Sequence, residues 1–117
     1  MNFEEIREYC LSKPAVTEGF PFNDTALVFK VAGKMFALLD LSEENRGISI
    51  KCDPGLAIEL IEKYQEVEYA WHFDKKHWIG VNLNMGLSDD SLKQWIDNSY
   101  SIVHHSLPAK IRREIES

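Results

Sequence analysis

Apolar residues recur at intervals of three and four in three segments of the chain, and this period is typical of amphipathic helices. The first helix is predicted to begin after Asn2 and to end at Lys13, because the residue before a proline disfavours the α conformation. The second is predicted to begin at Asp53 and to extend to about Tyr64. The third begins after Ser88 and has the clearest apolar stripe. This stripe comprises Leu92, Trp95, Ile96, Ser99, Ile102, Val103 and Ser106.

Between the helices, alternating or continuous apolar segments predict strands. Ala26–Val31 and Lys34–Asp40 are joined by Ala32 and Gly33, and a two-residue connection containing glycine is typical of a β-hairpin. Residues 16–22 contain a proline, which favours an edge strand or an irregular one. Further strands are expected at residues 48–51, 66–73 and 78–83.

The order of these elements predicts an α+β fold, with a mainly antiparallel sheet and helices packed on one side. Hairpins dominate, and strand and helix do not alternate as they do in a doubly wound parallel sheet. The sequence contains no repeat, low-complexity segment or linker. A single domain over residues 1–117 is therefore expected, and this length is close to the commonest domain size.

Charge and apolar content change this picture by excluding some partners. The formal net charge is −6, from 13 Lys and Arg against 19 Asp and Glu, so the whole chain has no general attraction for phosphate or anionic lipid. Apolar runs such as residues 35–39 are much shorter than the roughly 20 residues that a membrane helix needs. With no signal peptide, we expect a cytoplasmic protein without a membrane partner.

The side chains that could carry chemistry form no recognisable catalytic motif. Cys10 and Cys52 are expected to be reduced and unbridged in the cytosol. Cys52 precedes a helix N-terminus, which could stabilise a thiolate, but a small buried thiol is the favoured interpretation. His72 and His77 match no metal-ligand spacing. We therefore expect no enzymatic activity, no cofactor and no metal site.

Seven short segments together resemble a known family. They read FPF at 20–22, LVFKV at 27–31, GKMFA at 33–37, KCDP at 51–54, KKHW at 75–78, DNSY at 97–100 and SLP at 106–108. In this order they resemble the MmcQ/YjbR-like family of small bacterial proteins over nearly the whole chain. The resemblance implies an α+β fold with an antiparallel sheet similar to that of secretion chaperones. It also implies a DNA-binding role through two wing-like hairpins, and no established enzymatic activity.

Local cations and an aromatic side chain give this DNA-binding hypothesis its candidate residues. Lysines at hairpin tips can contact phosphates, and an aromatic ring can stack on a base. The last short helix, predicted to begin at Pro108, adds a basic cluster. The candidate nucleic-acid-binding residues are Lys30, Lys34, Lys75, Lys76, Trp78, Arg112 and Arg113. With so few cations, binding should be weak and non-specific.

Two other functions remain open. The first is a protein-interaction or chaperone-like module, supported by the acidic composition. Residues 20–22 would contribute if their phenylalanines are exposed, although a buried corner is the favoured interpretation. The second is a small-ligand binder or enzyme that uses a pocket near His72, His77 and Cys52.

Overall fold

The computed structural model describes residues 1–42, 47–70, 73–74 and 76–116. Its helices are α1 (Phe3–Leu11), α2 (Pro54–Lys63), α3 (Asp89–Ser106) and α4 (Ala109–Glu116). Its strands are β1 (Val16–Gly19), β2 (Ala26–Val31), β3 (Lys34–Asp40), β4 (Gly47–Lys51), β5 (Val67–Tyr69) and β6 (Trp78–Asn82).

The six strands form one sheet in the order β1-β2-β3-β4-β6-β5, and every neighbouring pair is antiparallel. Helix α3 packs against β2, β3 and β4, while α1 contacts β1 and α2 contacts β5. The buried side chains of these helices and of one sheet face form a common hydrophobic cluster. The predicted α+β fold, with helices on one side of an antiparallel sheet, is confirmed.

Two strands are much shorter than the sequence pattern predicts, and β6 ends one residue early, at Asn82. Strand β1 lies at the sheet edge as expected but ends at Gly19, so residues 20–22 form a connection instead of continuing the strand. Strand β5 covers only Val67–Tyr69 of the predicted strand 66–73, and residues 71 and 72 lie outside the described residues. Among the described helices, none combines the length and apolar character needed to cross a membrane.

The β2–β3 hairpin has the predicted two-residue turn and an irregularity next to it. Ala32 and Gly33 both have positive φ angles, of 49° and 81°, which identifies a type I′ turn. The pairing then shifts: Phe29 lies opposite Ala37, whereas Lys30 lies opposite Met35. Phe36 is left as an extra residue in β3, which is a β-bulge.

A single hydroxyl group of helix α3 forms hydrogen bonds with the backbone at this irregularity. Ser99 is fully buried, and its Oγ donates to the carbonyl oxygen of Phe36 at 2.6 Å. The same Oγ accepts from the backbone N–H of Lys51 at 2.8 Å. Since Ala37 pairs with Ile50, Phe36 and Lys51 would be the next facing residues of β3 and β4. The Ser99 hydroxyl therefore lies between two strands and bonds to both.

The same helix is also joined to the N-terminal part of the chain. Asp97 accepts hydrogen bonds from the hydroxyl of Tyr9 and from the ammonium group of Lys13. The hydroxyl of Tyr100 donates to the carbonyl oxygen of Pro14 at 2.6 Å. Helix α3 buries more side chains than any other described helix, as its stripe predicts.

Candidate functional site

The sheet face opposite the helices is open around Ser49 and Gly80, whereas Val28 and Trp78, which belong to the same face, are buried. Strand residues alternate between the two faces, so the neighbours of core residues point away from the core. One row across this open face runs through Leu38, Ser49, Gly80 and Glu68, which the register places side by side on β3, β4, β6 and β5. The next row runs through Asp40, Gly47 and Asn82 on β3, β4 and β6.

These two rows form the floor of a groove of about 670 Å³. The floor is low because its central residues are small: Gly47 and Ser49 from β4, and Gly80 from β6. A Cβ atom added at Gly80 would lie 3.8 Å from Cγ of Glu68, an ordinary van der Waals distance. Glycine inside a strand weakens it, so its presence here is better explained by the space it leaves than by strand stability.

Aromatic side chains line the groove at its margins. Phe22 is 64% exposed and Phe20, nearby in the same connection, is 50% exposed. Phe22 lines the groove on one side, and Phe73 lines it near Trp78. The expectation that residues 20–22 form a buried corner is therefore wrong.

The local backbone explains this exposure. Strand β1 ends at Gly19 and β2 begins at Ala26, so the intervening chain must leave the sheet and reverse direction. The side chain of Asn23 fixes the reversal by accepting hydrogen bonds from the N–H groups of Thr25 and Ala26, at 2.9 and 2.8 Å. This turn presents Phe22 outside the core.

The charge of the groove is acidic. Among the described residues that line it, two are charged, Asp40 and Glu68, and both are carboxylates. Asp40 is half-buried and accepts from the N–H of Ser42 at 2.9 Å, while Glu68 is exposed. Within the described part of the chain, neither carboxylate forms an ion pair. Neither residue is predicted as a site residue from the sequence, because their proximity depends on the strand order.

Three of the predicted nucleic-acid-binding lysines lie at one end of the sheet. Lys30 is near the end of β2 and Lys34 begins β3. The antiparallel register places the start of β3, the end of β4 and the start of β6 at this same end, and Lys76 lies two residues before β6. Lys51, at the end of β4, belongs to the same group and was missed by the sequence analysis. Lys75 lies outside the described residues.

The other predicted nucleic-acid-binding residues are placed differently. Trp78 is only 8% exposed, and its ring stacks on Phe73 with centroids 4.5 Å apart, so it is packed against protein and not displayed to a base. Arg112 is half-buried and Arg113 is exposed on α4. Helix α4 contacts α3 through Glu116, whose carboxylate lies 3.6 Å from Nε2 of His104. DNA binding by this set stays a prediction.

The thiols are free and buried, as expected. Cys10 and Cys52 form no disulfide, and burial raises the pKa of Cys10 to about 12 and that of Cys52 to about 11. The nearby carboxylate of Asp53 adds to the effect at Cys52. The buried-thiol interpretation of Cys52 is confirmed, since the side chain is only 3% exposed.

The pocket predicted near His72, His77 and Cys52 does not coincide with the groove, whose described lining includes neither His77 nor Cys52. His77 is exposed, with its Nδ1 2.7 Å from a carboxylate oxygen of Asp74. A hydrogen bond from the N–H of Lys76, together with this histidine contact, holds the pKa of Asp74 below its usual value. His72 lies outside the described residues, and the described ones contain no group of three side chains that could hold a metal ion.

The fold and site define an α+β protein with an antiparallel sheet covered by helices on one face only. Residues 11–102 match the family model described as YjbR, and the chain belongs to this family. It is 29% identical over 113 residues to the uncharacterised protein YjbR of Escherichia coli K12, covering 97% of this chain and 96% of that protein. It is 30% identical over 115 residues to the uncharacterised protein YbdF of Escherichia coli O157:H7, covering 96% and 92%.

Solved structures show the same fold. The crystal structure of protein DR2400 of Deinococcus radiodurans, assigned to domain family DUF419, matches with a TM-score of 0.90 and 31% identity. The match covers 97% of this chain and 86% of that one. A crystal structure of a Pseudomonas syringae protein matches with a TM-score of 0.74 and 25% identity, covering 88% and 99%. The predicted membership of a YjbR-like family is confirmed.

Proposed function

We propose that this chain is a non-enzymatic binding module and that the groove on its open sheet face binds a small organic molecule. The observation that carries this proposal is the groove itself, a concave site of about 670 Å³ on a sheet face that no described helix covers. Its volume falls within the range of roughly 300–1,000 Å³ that is typical of small-molecule sites.

The lining supports binding more than catalysis. Ligand sites combine aromatic and apolar walls with a few polar groups that fix orientation. Here Phe22 and Leu38 supply apolar surface, and Ser49 and Asn82 supply polar groups. The described lining contains carboxylate, amide and hydroxyl side chains, and among its described residues there is neither a histidine nor a cysteine, the groups common in nucleophilic catalysis.

Two valine substitutions test this site. Gly80→Val raises the groove floor, and the added Cβ meets only ordinary van der Waals contacts. Gly19→Val is the matched control, since it also lies in a strand, has nothing within 4 Å of the added Cβ and does not line the groove. Both proteins should fold.

The measurement is the amide NMR spectrum of ¹⁵N-labelled protein, recorded against a panel of small aromatic and aliphatic compounds. We expect at least one compound to shift the amides of Gly47, Ser49 and Asn82, with a dissociation constant on the order of 1 mM for a compound of about twelve heavy atoms. Gly80→Val should abolish these shifts and Gly19→Val should preserve them. A panel that leaves the groove amides unmoved, or shifts that survive Gly80→Val, would contradict the proposal.

A second candidate function is weak, non-specific DNA binding, and it is favoured by the shared position of the lysines. The amino groups of Lys30, Lys34, Lys51 and Lys76 belong to one end of the sheet, and none of them forms an ion pair among the described residues. About three phosphate contacts would give a log–log salt slope of about −2.7 and an affinity no better than roughly 10⁻⁴ to 10⁻⁶ M.

Fluorescence anisotropy with a labelled duplex and a labelled single strand, at two salt concentrations, measures this affinity. The double variant Lys34→Ala, Lys76→Ala should weaken binding, whereas Lys63→Ala, an exposed lysine at the end of α2, should not. If no binding occurs even at low salt, or if Lys63→Ala has an equal effect, the sheet end is not a DNA site. Submicromolar binding at about 200 mM salt would show a stronger site than these lysines explain.

A further inference from the structure

We propose that the open-face groove selects elongated organic dications of the diamine or polyamine class. This inference rests on the proposed function and names its ligand. The groove is an uncovered sheet face, and charge complementarity determines its occupant. Its two charged, described lining residues are both carboxylates, and they lie on opposite sides of the floor.

The strand order sets the separation of these carboxylates. Asp40 lies on β3 and Glu68 on β5, with β4 and β6 between them. Three strand spacings amount to about 14 Å. The two residues also lie in adjacent rows, about 7 Å apart along the strands, so their Cα atoms are about 16 Å apart. A single ammonium group cannot contact both side chains, whereas a molecule with a charge at each end can.

The floor between the carboxylates suits the middle of such a molecule. Gly47, Ser49 and Gly80 present little side-chain volume, which leaves a trough for a flexible aliphatic chain. Phe22 and Phe73 line the groove, and an aromatic face attracts an alkylammonium group that lies over it. Apolar contacts along the aliphatic chain of the ligand and an ion pair with a carboxylate near each of its ends would therefore both stabilise the complex.

A positive charge among the described residues, that of Lys51, defines the alternative ligand. Lys51 is two residues beyond Ser49 on β4, and it lies on the open face towards the basic end of the sheet. It does not line the groove, so we expect the carboxylates to dominate. If Lys51 dominated, an elongated dianion would bind instead, and a matched dianion must be part of the test.

Four probes with the same eight-carbon chain separate charge from shape: 1,8-diaminooctane, octylamine, 1,8-octanediol and suberate. Each is titrated into the labelled protein and the shifts of the Gly47, Ser49 and Gly80 amides are followed. We expect the diamine to bind about tenfold more tightly than the diol and several-fold more tightly than octylamine, with suberate weakest. Raising the salt concentration from about 20 mM to about 200 mM should weaken the binding of the diamine and leave the binding of the diol unchanged.

Conservative amide substitutions locate the selectivity. Asp40→Asn and Glu68→Gln should each weaken the binding of the diamine about two- to fivefold, as expected for partly exposed charge pairs, without affecting the binding of the diol. Glu62→Gln, an exposed carboxylate on α2 outside the groove, is the matched control and should change neither. Loss of diamine preference in both groove variants, and not in the control, supports the proposal.

The outcomes also distinguish this inference from the proposed function. If the diol or suberate shifts the groove amides as strongly as the diamine, the groove binds small molecules but the dication inference is overturned. If the diamine shifts no groove amide, the dication inference is again overturned. The compound panel and the Gly80→Val variant then test independently whether the groove binds small molecules at all.

Discussion

Replacing Ser99 by alanine should destabilise the protein far more than the loss of one hydroxyl from a helix usually does. The hydroxyl bonds both the carbonyl oxygen of Phe36 and the N–H of Lys51, so its removal leaves two backbone groups without these partners. An unsatisfied buried group costs about 1–3 kcal/mol, and the Lys51 bond is only partly buried, which favours the lower half of that range there.

Alanine offsets part of this loss. It has a better helix propensity than serine by about 0.5 kcal/mol, and it avoids burying a hydroxyl. The net loss in the free energy of unfolding should therefore be about 2–3 kcal/mol. For a domain of ordinary stability, about 5–15 kcal/mol, this is a large fraction of the total.

Urea unfolding followed by tryptophan fluorescence measures the loss. Ser101→Ala is the matched control, because Ser101 lies on the same helix with its side chain exposed, and it should be neutral or slightly stabilising. Native-state hydrogen exchange adds a local reading, since the amide of Lys51 should exchange faster in Ser99→Ala. If the free energy of unfolding of Ser99→Ala lies within about 0.5 kcal/mol of that of the control, the Ser99 hydroxyl does not bridge β3 and β4 as described, and the two strands hydrogen-bond to each other directly in the variant.

Three further predictions concern stability and the thiols. Trp95→Ala should lower the free energy of unfolding by about 3–5 kcal/mol, because Trp95 is only 7% exposed; a loss below about 1 kcal/mol in urea would contradict its packing. Ala32→Asn should raise it by about 0.5–1 kcal/mol, since asparagine tolerates the positive φ before Gly33 in a type I′ turn; an unchanged melting temperature would refute this. Cys10 and Cys52 should resist a thiol reagent at pH 8 in the native protein and react fully in denaturant. Their folded pKa values, about 12 and about 11, exceed the ordinary thiol value of 9.0, so their contribution to stability is complete below pH 9 and declines as the pH rises towards 11–12. A urea midpoint that increases between pH 8 and pH 10 would contradict this sign.

Features that depend on neighbouring residues could be predicted from the sequence. The β2–β3 hairpin follows from Ala32 and Gly33 between two apolar segments, and the burial of α3 follows from its stripe. The end of β1 at Gly19 was not predicted, although the start of β2 at Ala26 was, because the chain turns at Asn23 and β1 pairs with β2 only as far as Gly19 opposite Val28. The same local turn leaves Phe22 exposed against the general preference of phenylalanine for the core.

The groove could not be predicted, because it requires the non-sequential neighbours β4 and β6. Glycine at position 80 inside a strand pattern was the available signal for a close approach or an open floor. Ser99 was assigned to the buried stripe correctly, but its role depends on a register shift in β3 that no local pattern indicates. Lys51 was also not predicted as a site residue, because its neighbours at this end of the sheet come from other strands.

The placement of β6 beside β4 also has a consequence for the order of folding. Strands β1 to β4 form a meander whose pairings close short loops, whereas the β4–β6 pairing closes a loop that contains α2 and β5. Loop-closure entropy is larger for contacts between distant parts of a chain, so we expect the β4–β6 pairing to form after the meander. Asp40 belongs to the early meander and Glu68 to the late hairpin, so the groove exists only after the two have docked. A ligand that touches both sides binds only the docked state, and by mass action it would slow or suppress the local opening of the β5–β6 hairpin.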